Sequence, residues 1–227
     1  GYVGLALGAV LTGLRPIVEF QYADFASEAF KMIVNYAATQ TVRGMGPVGI
    51  VMRLPSGWAT NTSIYHSVNP ESWFASTPGL KIVAPLTAFD AKGLLKAAVR
   101  DNNPVLFLEY KNYYRIKPEK LPPELNLAVP EEDYVVPIGK ARIVRAGKDV
   151  TLIAWSNGMT YALNAADELA KEGIEAEVID LRTLRPMDTE TIINSVKKTS
   201  RAVVVEEGWQ QSGVGAEIAA RIMEQAF

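Results

Sequence analysis

Residues 80–109, LKIVAPLTAFDAKGLLKAAVRDNNPVLFLE, decide the fold class of this chain. The stretch opens with Leu80–Ala84, a short apolar run bounded by turn residues, which is typical of a buried strand. A helix is predicted over Ala88–Arg100, with Thr87 as its N-cap, and a second strand over Pro104–Glu109. Strands that alternate with helices of these lengths predict an α/β fold with a parallel sheet covered on both faces.

The same alternation is predicted on both sides of this stretch, beginning with a buried helix over Gly1–Leu14. The other predicted elements are strands at Arg15–Tyr22, Val48–Arg53, Lys140–Arg145, Asp149–Trp155, Glu177–Leu181 and Arg201–Glu206, and helices at Asp24–Ala38, Glu71–Ala75, Tyr161–Glu172, Asp188–Lys198 and Val214–Phe227.

A Pro- and Glu-rich stretch, residues 117–137, separates the two halves of the chain. Few of its side chains could build a core, so it is predicted to be a stiff interdomain connector. We therefore expect one α/β domain over residues 1–116 and a second over residues 138–227. No methionine or cap precedes the first helix, and the last helix runs to Phe227. We expect the N-terminal part of the first domain and the C-terminal part of the second to be missing.

The composition excludes several classes of function. Hydrophobic residues make up 48% and charged residues 21%, and the net charge is −2 with scattered Lys and Arg. This balance is normal for a soluble globular protein and argues against nucleic acid or a membrane as the main partner. The chain has no cysteine and a single histidine, which excludes disulfides and makes a zinc site improbable.

The single histidine, His66, lies in a loop rich in Gly, Ser, Thr and Asn, residues 54–70, between two predicted strands. Long loops that leave buried strands often carry ligand chemistry in α/β folds. An imidazole can also gain or lose a proton near neutral pH. The alternative is a surface or core histidine that has no functional role.

Three other places in the sequence could carry a binding site. Phe25 follows the first predicted strand and could stack on a flat apolar ligand, although composition alone favours a position in the core. Asp101–Pro104 offers oxygens that suit a monovalent cation, although the sequence alone favours an ordinary turn. The glycine-containing loop Glu206–Gly215 precedes a helix as a phosphate loop would, but Glu206 and Glu207 would repel phosphate, which favours a packing or subunit-contact turn.

The sequence resembles the beta subunits of thiamine-diphosphate-dependent 2-oxo acid dehydrogenases along essentially its whole length. The matching segments of the first half are Gly1–Gly4, Gly13–Phe20, His66–Ser67, Glu71–Ala75, Pro78–Pro85, Asp90–Lys96 and Arg100–Glu109. In the second half, Val178–Asp188 and Val205–Trp209 resemble the pyruvate dehydrogenase branch. Branched-chain 2-oxo acid and acetoin dehydrogenase beta subunits are the close alternatives.

The resemblance implies a transketolase-like pyrimidine-binding domain followed by a transketolase C-terminal domain. It implies an alpha subunit, in a heterotetramer of two alpha and two beta chains, that holds the diphosphate and magnesium. It also implies pyruvate as substrate and a lipoyl acyltransferase component as partner. The location would be the cytoplasm, or the mitochondrial matrix or plastid stroma if the source is eukaryotic. A non-catalytic assembly or docking module is the alternative from another class.

The resemblance also implies roles for particular residues. Phe25 would stack on the pyrimidine ring of thiamine diphosphate with Gln21 and Glu28 beside it, and His66 would lie near the thiazolium carbon. A structural potassium ion, which some members of the family bind, would be held by the set Ile50, Ala98, Asp101 and Asn103.

Three departures from the family pattern bear on activity. The family's essential glutamate would lie just upstream of Gly1, so the chain alone is expected to be inactive. A glutamine usually follows the His-Ser pair, whereas Val68 stands there in this chain. The segment Thr41–Gly46 is also shorter than the corresponding family loop, which bears on the neighbouring cation site.

Overall fold

The computed structural model describes residues 1–58 and 63–226, and their strands form two sheets. In chain order the strands are β1 (Ile17–Glu19), β2 (Val51–Ser56), β3 (Lys81–Val83), β4 (Val105–Tyr110), β5 (Arg142–Arg145), β6 (Val150–Ala154), β7 (Ala176–Asp180), β8 (Thr183–Arg185) and β9 (Ala202–Val205). The first sheet has the order β1-β2-β4-β3-β8, and the second has the order β5-β7-β6-β9. Only β8 and β5 pair antiparallel with their neighbours in these sheets. The predicted α/β class with mainly parallel sheets is confirmed.

Helices cover the sheets, as expected for parallel strands joined by crossovers. The α-helices are α1 (Tyr2–Leu11), α2 (Glu71–Ala75), α3 (Ala88–Arg100), α4 (Gly158–Lys171), α5 (Thr189–Thr199) and α6 (Val214–Gln225). Short 3₁₀ segments occur at Ala23–Ala29, Ile64–His66, Lys111–Tyr113, Pro118–Lys120 and Pro123–Leu125, and a π-helix at Met32–Ala37. Within the described part of the chain, no helix has the length and apolar character needed to cross a bilayer.

Capping residues in the sequence predicted where some of these helices begin, to within one residue. Helix α3 has the predicted bounds, and Thr87 Oγ1 accepts a hydrogen bond from the backbone N–H of Asp90 at 3.0 Å. Helix α5 begins one residue after its predicted start and is capped by Asp188, whose Oδ1 accepts from the backbone N–H of Thr191 at 3.3 Å. These side chains satisfy backbone donors that a helix cannot pair internally.

Other predictions about the elements were wrong in part. Helix α1 ends at Leu11 and buries only one face, so that Leu5 is 78% exposed. The helix predicted over Asp24–Ala38 is a 3₁₀ segment followed by a π segment. Residues 59–62 of the predicted loop and Phe227 at the predicted end of the last helix lie outside the described residues.

The connector contributes to the core, contrary to the prediction. Leu125 packs in a cluster with residues of the second sheet, and Val136 packs against the helix α3 side of the first sheet. Gly93 permits this approach, because a Cβ there would lie 2.5 Å from Val136 Cγ2. Pro and Glu residues dominate the composition of the stretch, but Leu125 and Val136 still pack it against both halves of the chain.

The two halves of the chain share a core and are joined by specific contacts. Strand β8 belongs to the second half by sequence but adds an edge strand to the first sheet. The buried side chains of Arg182 and Asp90 form an ion pair with a 3.0 Å separation. Trp155 Nε1 donates to the buried carboxylate of Glu71 at 3.2 Å, and burial raises the pKa of that carboxylate. The halves are therefore one packed unit.

Candidate functional site

The carboxyl ends of β1 and β2 lie side by side, because the two strands are parallel neighbours. After β1 the chain enters the 3₁₀ segment Ala23–Ala29, and after β2 it later forms the turn Ile64–His66. Ligands of open α/β sheets bind outside the carboxyl ends of the strands. The structure brings Phe25 and His66 together at this edge, with ring centroids 5.5 Å apart and planes inclined by 68°.

The ring of His66 is held by two residues that follow β1. Tyr22 stacks on it with a centroid separation of 4.1 Å and an angle of 9° between the planes. The carboxylate of Asp24 contacts the same ring, with its Oδ2 and Oδ1 at 3.2 and 3.3 Å from His66 Nδ1. The imidazole side chain remains 32% exposed. It is thus fixed on one side and open to a ligand on another.

Phe25 presents part of its ring at the surface, and 39% of the residue is exposed. Glu28 lies three residues later on the same 3₁₀ segment, which places both side chains on one face because a 3₁₀-helix has three residues per turn. Gln21 precedes this segment and is exposed, as Glu28 is. An aromatic face flanked by an amide and a carboxylate can stack on a flat heterocycle and bond its ring nitrogens.

Gly57 directs the chain from β2 into the loop that carries His66. Its φ is +79°, a conformation that favours glycine, and a Cβ there would lie 2.0 Å from Tyr110 Cε2. Lys111 Nζ donates to the carbonyl oxygen of Gly57 and lies 5.9 Å from the centroid of the Tyr22 ring. Burial lowers the pKa of Lys111 to about 8, and the charge of Asp24 opposes that shift.

The residues implied in potassium binding cluster where β2, α3 and β4 meet, but two side-chain cations already face them. Lys81 Nζ contacts the carboxylate of Asp101 at 2.5 Å, and Arg15 Nη1 donates to the backbone carbonyl of Asp101 at 2.7 Å. The backbone carbonyl of Ile50 accepts the N–H of Val105, and that of Ala98 accepts the N–H of Asp101. Asn103 donates its backbone and side-chain N–H groups to Asp101 Oδ1. A potassium ion would add a third positive charge, so these residues do not fit it in this arrangement.

The glycine-containing loop before α6 is occupied by one of its own carboxylates. Glu206 Oε1 accepts the backbone N–H of Gly215 at 3.2 Å, in the first turn of the helix. A Cβ on Gly213 or Gly215 would lie 2.9 or 2.5 Å from that same oxygen. The glycines therefore make room for Glu206, which takes the position where a phosphate loop would place its ligand.

Sequence reasoning missed the partners of His66. No motif in the sequence assigned a role to Asp24, Tyr22 or Lys111. Lys111 could have been found, because it directly follows β4, the parallel neighbour of β2, and so lies at the same edge of the sheet.

Comparison with known proteins shows which family this chain belongs to. The family model described as "Transketolase, pyrimidine binding domain" matches residues 1–117, and the one described as "Transketolase, C-terminal domain" matches residues 139–227. The chain therefore belongs to the transketolase family that these two domains define.

Among individual proteins, the chain is similar to beta subunits of the pyruvate dehydrogenase E1 component. It is 53% identical to that of Rhizobium meliloti (strain 1021), over 100% of this chain and 48% of the relative. It is 48% identical to the mitochondrial protein of Dictyostelium discoideum, over 100% of this chain and 63% of that protein. It is 47% identical to the human mitochondrial protein, over 99% of this chain and 62% of that protein. The chain thus spans about half to just under two thirds of these relatives.

A solved structure called "Split gene transketolase, inactive beta4 tetramer" has a TM-score of 0.79 to this chain. The match covers 98% of this chain and 67% of that one, at 24% sequence identity. At this identity the likeness shows the fold. The resemblance found in the sequence motifs is confirmed by the family models and the relatives.

Proposed function

We propose that this chain binds the aminopyrimidine of thiamine diphosphate as the beta subunit of a pyruvate dehydrogenase. The overall reaction is the oxidative decarboxylation of pyruvate with reductive acetylation of a lipoyl domain. Use of thiamine diphosphate follows from membership of the transketolase pyrimidine-binding family. Thiamine diphosphate supplies the nucleophilic carbon and the electron sink that decarboxylation needs. The observation that carries the proposal is the exposed ring of Phe25 beside His66, at the carboxyl edge of a parallel sheet.

The residues around Phe25 suit an aminopyrimidine. Its ring offers an exposed apolar face for stacking, and Gln21 and Glu28, which precede and follow it closely in the chain, are exposed as well. A carboxylate accepts hydrogen bonds and an amide both donates and accepts them, which matches the amino group and ring nitrogens of the heterocycle. These three residues would therefore bind and orient the ring.

His66 would serve as the proton donor and acceptor of the site. Its imidazole is partly exposed and its ring centroid lies 5.5 Å from that of Phe25, so it would adjoin a cofactor stacked on Phe25. General acid–base catalysis by a positioned histidine typically contributes 10²–10⁴-fold in rate. This estimate sets the size of the effect that a test must detect.

The remaining parts of the reaction are assigned to partners. An alpha subunit would hold the diphosphate and magnesium, in a heterotetramer of two alpha and two beta chains, and a lipoyl acyltransferase component would accept the acetyl group. In this proposal residues 1–116 form the pyrimidine-binding domain, residues 117–137 the connector and residues 138–227 the C-terminal domain. Eukaryotic relatives are named as mitochondrial, so the matrix is the proposed location in a eukaryote and the cytoplasm in a bacterium.

The test is His66→Ala in a full-length beta chain that includes the upstream glutamate, in the complex reconstituted with the alpha subunit and the acyltransferase. We expect pyruvate decarboxylation and lipoyl acetylation to fall about 10²-fold or more, because the proton donor is lost. Tyr65→Ala is the matched control, since Tyr65 is the exposed neighbour on the same turn and should leave the rate unchanged. Unchanged turnover in His66→Ala would favour a non-catalytic assembly module.

Substrate choice and partner dependence are tested in the same assay. Pyruvate should give the highest kcat/KM when it is compared with branched-chain 2-oxo acids and acetoin. The beta chain without the alpha subunit should give no turnover. Preference for a branched-chain acid would move the proposal to that branch of the family, and turnover by the beta chain alone would contradict the shared site.

A further inference from the structure

The contact between Asp24 and His66 joins two segments that are 42 residues apart in sequence. Both oxygens of the Asp24 carboxylate lie within 3.3 Å of His66 Nδ1, and this carboxylate side chain is only 18% exposed. Tyr22, from the same segment, stacks against the imidazole face at 4.1 Å. The ring is therefore restrained by a stacking contact and by a carboxylate contact at Nδ1.

We propose that Asp24 is a positioning residue that keeps the proton of neutral His66 on Nδ1, so that Nε2 is the nitrogen that exchanges protons with the substrate. A carboxylate can only accept a hydrogen bond, so the nitrogen that faces it must carry the proton. A neutral imidazole has one ring proton, which leaves the lone pair on Nε2. The proposal rests on the role of His66 in the proposed function and adds the nitrogen through which it acts.

The surroundings of His66 favour Asp24 over other candidates for this role. Val68, two residues after His66, has an aliphatic side chain that packs partly buried against the core and cannot bond the imidazole. Lys111 carries a cation near Tyr22, but a protonated amine can only donate, and its Nζ donates to the carbonyl of Gly57. Asp24 is thus the acceptor that the structure places at Nδ1.

The single histidine makes the tautomer directly measurable. Labelling the chain with ¹⁵N-histidine gives one pair of imidazole signals, and protonated and unprotonated ring nitrogens have well-separated ¹⁵N shifts. In mildly alkaline solution we expect the unaltered chain to show protonated Nδ1 and unprotonated Nε2. A spectrum with the proton mainly on Nε2 would overturn the proposal without any variant.

Three variants distinguish the effect of the acceptor oxygen on the tautomer of His66 from the effects of the negative charge and of misfolding. Asp24→Asn keeps an acceptor oxygen and should retain the Nδ1–H form. Asp24→Leu removes the acceptor, and the ratio of Nδ1–H to Nε2–H should fall about tenfold or more, as expected for loss of a hydrogen bond to a charged group. Asp167→Leu removes an exposed carboxylate on α4 and should leave the ratio unchanged. An unchanged ratio in folded Asp24→Leu would overturn the proposal, and Asp24→Asn with the proton on Nε2 would do the same if Asp24→Leu failed to fold.

A kinetic measurement in the reconstituted complex completes the test. Asp24→Leu should lower kcat for pyruvate about tenfold or more with little change in KM, because proton transfer is impaired while binding is not. Asp24→Asn should recover most of the activity. The spectroscopic result does not depend on turnover, so a failure of the proposed reaction and a failure of the Asp24 assignment remain distinguishable.

Discussion

Breaking the buried ion pair between Arg182 and Asp90 should destabilise the whole chain, because this pair joins its two halves. The atoms Arg182 Nη1 and Asp90 Oδ1 are 3.0 Å apart, and the side chains are 10% and 0% exposed. In Arg182→Met, Asp90 keeps a hydrogen bond from Thr87 Oγ1 and the more distant guanidinium of Arg142 at 3.9 Å. Loss of one member of a buried pair costs about 3–5 kcal/mol, so we expect the free energy of unfolding to fall by that amount.

Urea denaturation of the variant and the unaltered chain measures this difference through the midpoint and the slope of the transition. The control is Lys171→Met, which breaks an ion pair with Glu168 whose side chains are 68% and 73% exposed. That change should cost about 1 kcal/mol or less. A second variant with both Asp90→Asn and Arg182→Met should cost less than the sum of the single changes, since no charged carboxylate is left unpaired. A loss in Arg182→Met no larger than in Lys171→Met would refute the reasoning.

Two other changes test the electrostatics and the site. Burial, with the charge of Asp90, raises the pKa of Asp180 from 3.8 to about 7, so the folded chain binds this proton more tightly than the unfolded chain. As the pH rises from about 4 to about 7, Asp180 loses its proton in the unfolded chain but keeps it in the folded chain, so the free energy of unfolding falls over this range. Asp180→Asn should flatten that decline in urea unfolding. An unchanged slope would contradict the assignment. Phe25→Ala should weaken thiamine diphosphate binding to the reconstituted complex about tenfold in a calorimetric titration, whereas Tyr65→Ala should not. Equal affinities would remove Phe25 from the site.

Elements whose signals are local were predicted well from the sequence. Helix α3 begins after Thr87 because that side chain accepts a backbone N–H, and Asp188 does the same for α5. Each signal depends on residues within one turn of the cap. Such interactions do not depend on packing against distant segments. The bounds of α3 match the prediction for this reason.

Strand β8 could not be predicted from its own residues. Its three residues, Thr183–Arg185, carry no signal that separates them from a turn between β7 and α5. They become a strand because the edge of β3 offers unpaired backbone groups, which is a property of the first half of the chain. Leu125 and Val136 in the connector are similar, since their burial depends on clefts built by distant segments.

The candidate site combines both situations. Motifs in the sequence pointed to Phe25 and His66, but no spacing rule connects Asp24 to a histidine 42 residues later. The connection follows from topology, because β1 and β2 are parallel and adjacent, so both residues emerge at the same edge of the sheet. With an aliphatic residue at position 68, the orientation of the imidazole depends on this edge. The register of β1 against β2 therefore bears on the contact between Asp24 and His66 as well as on the fold.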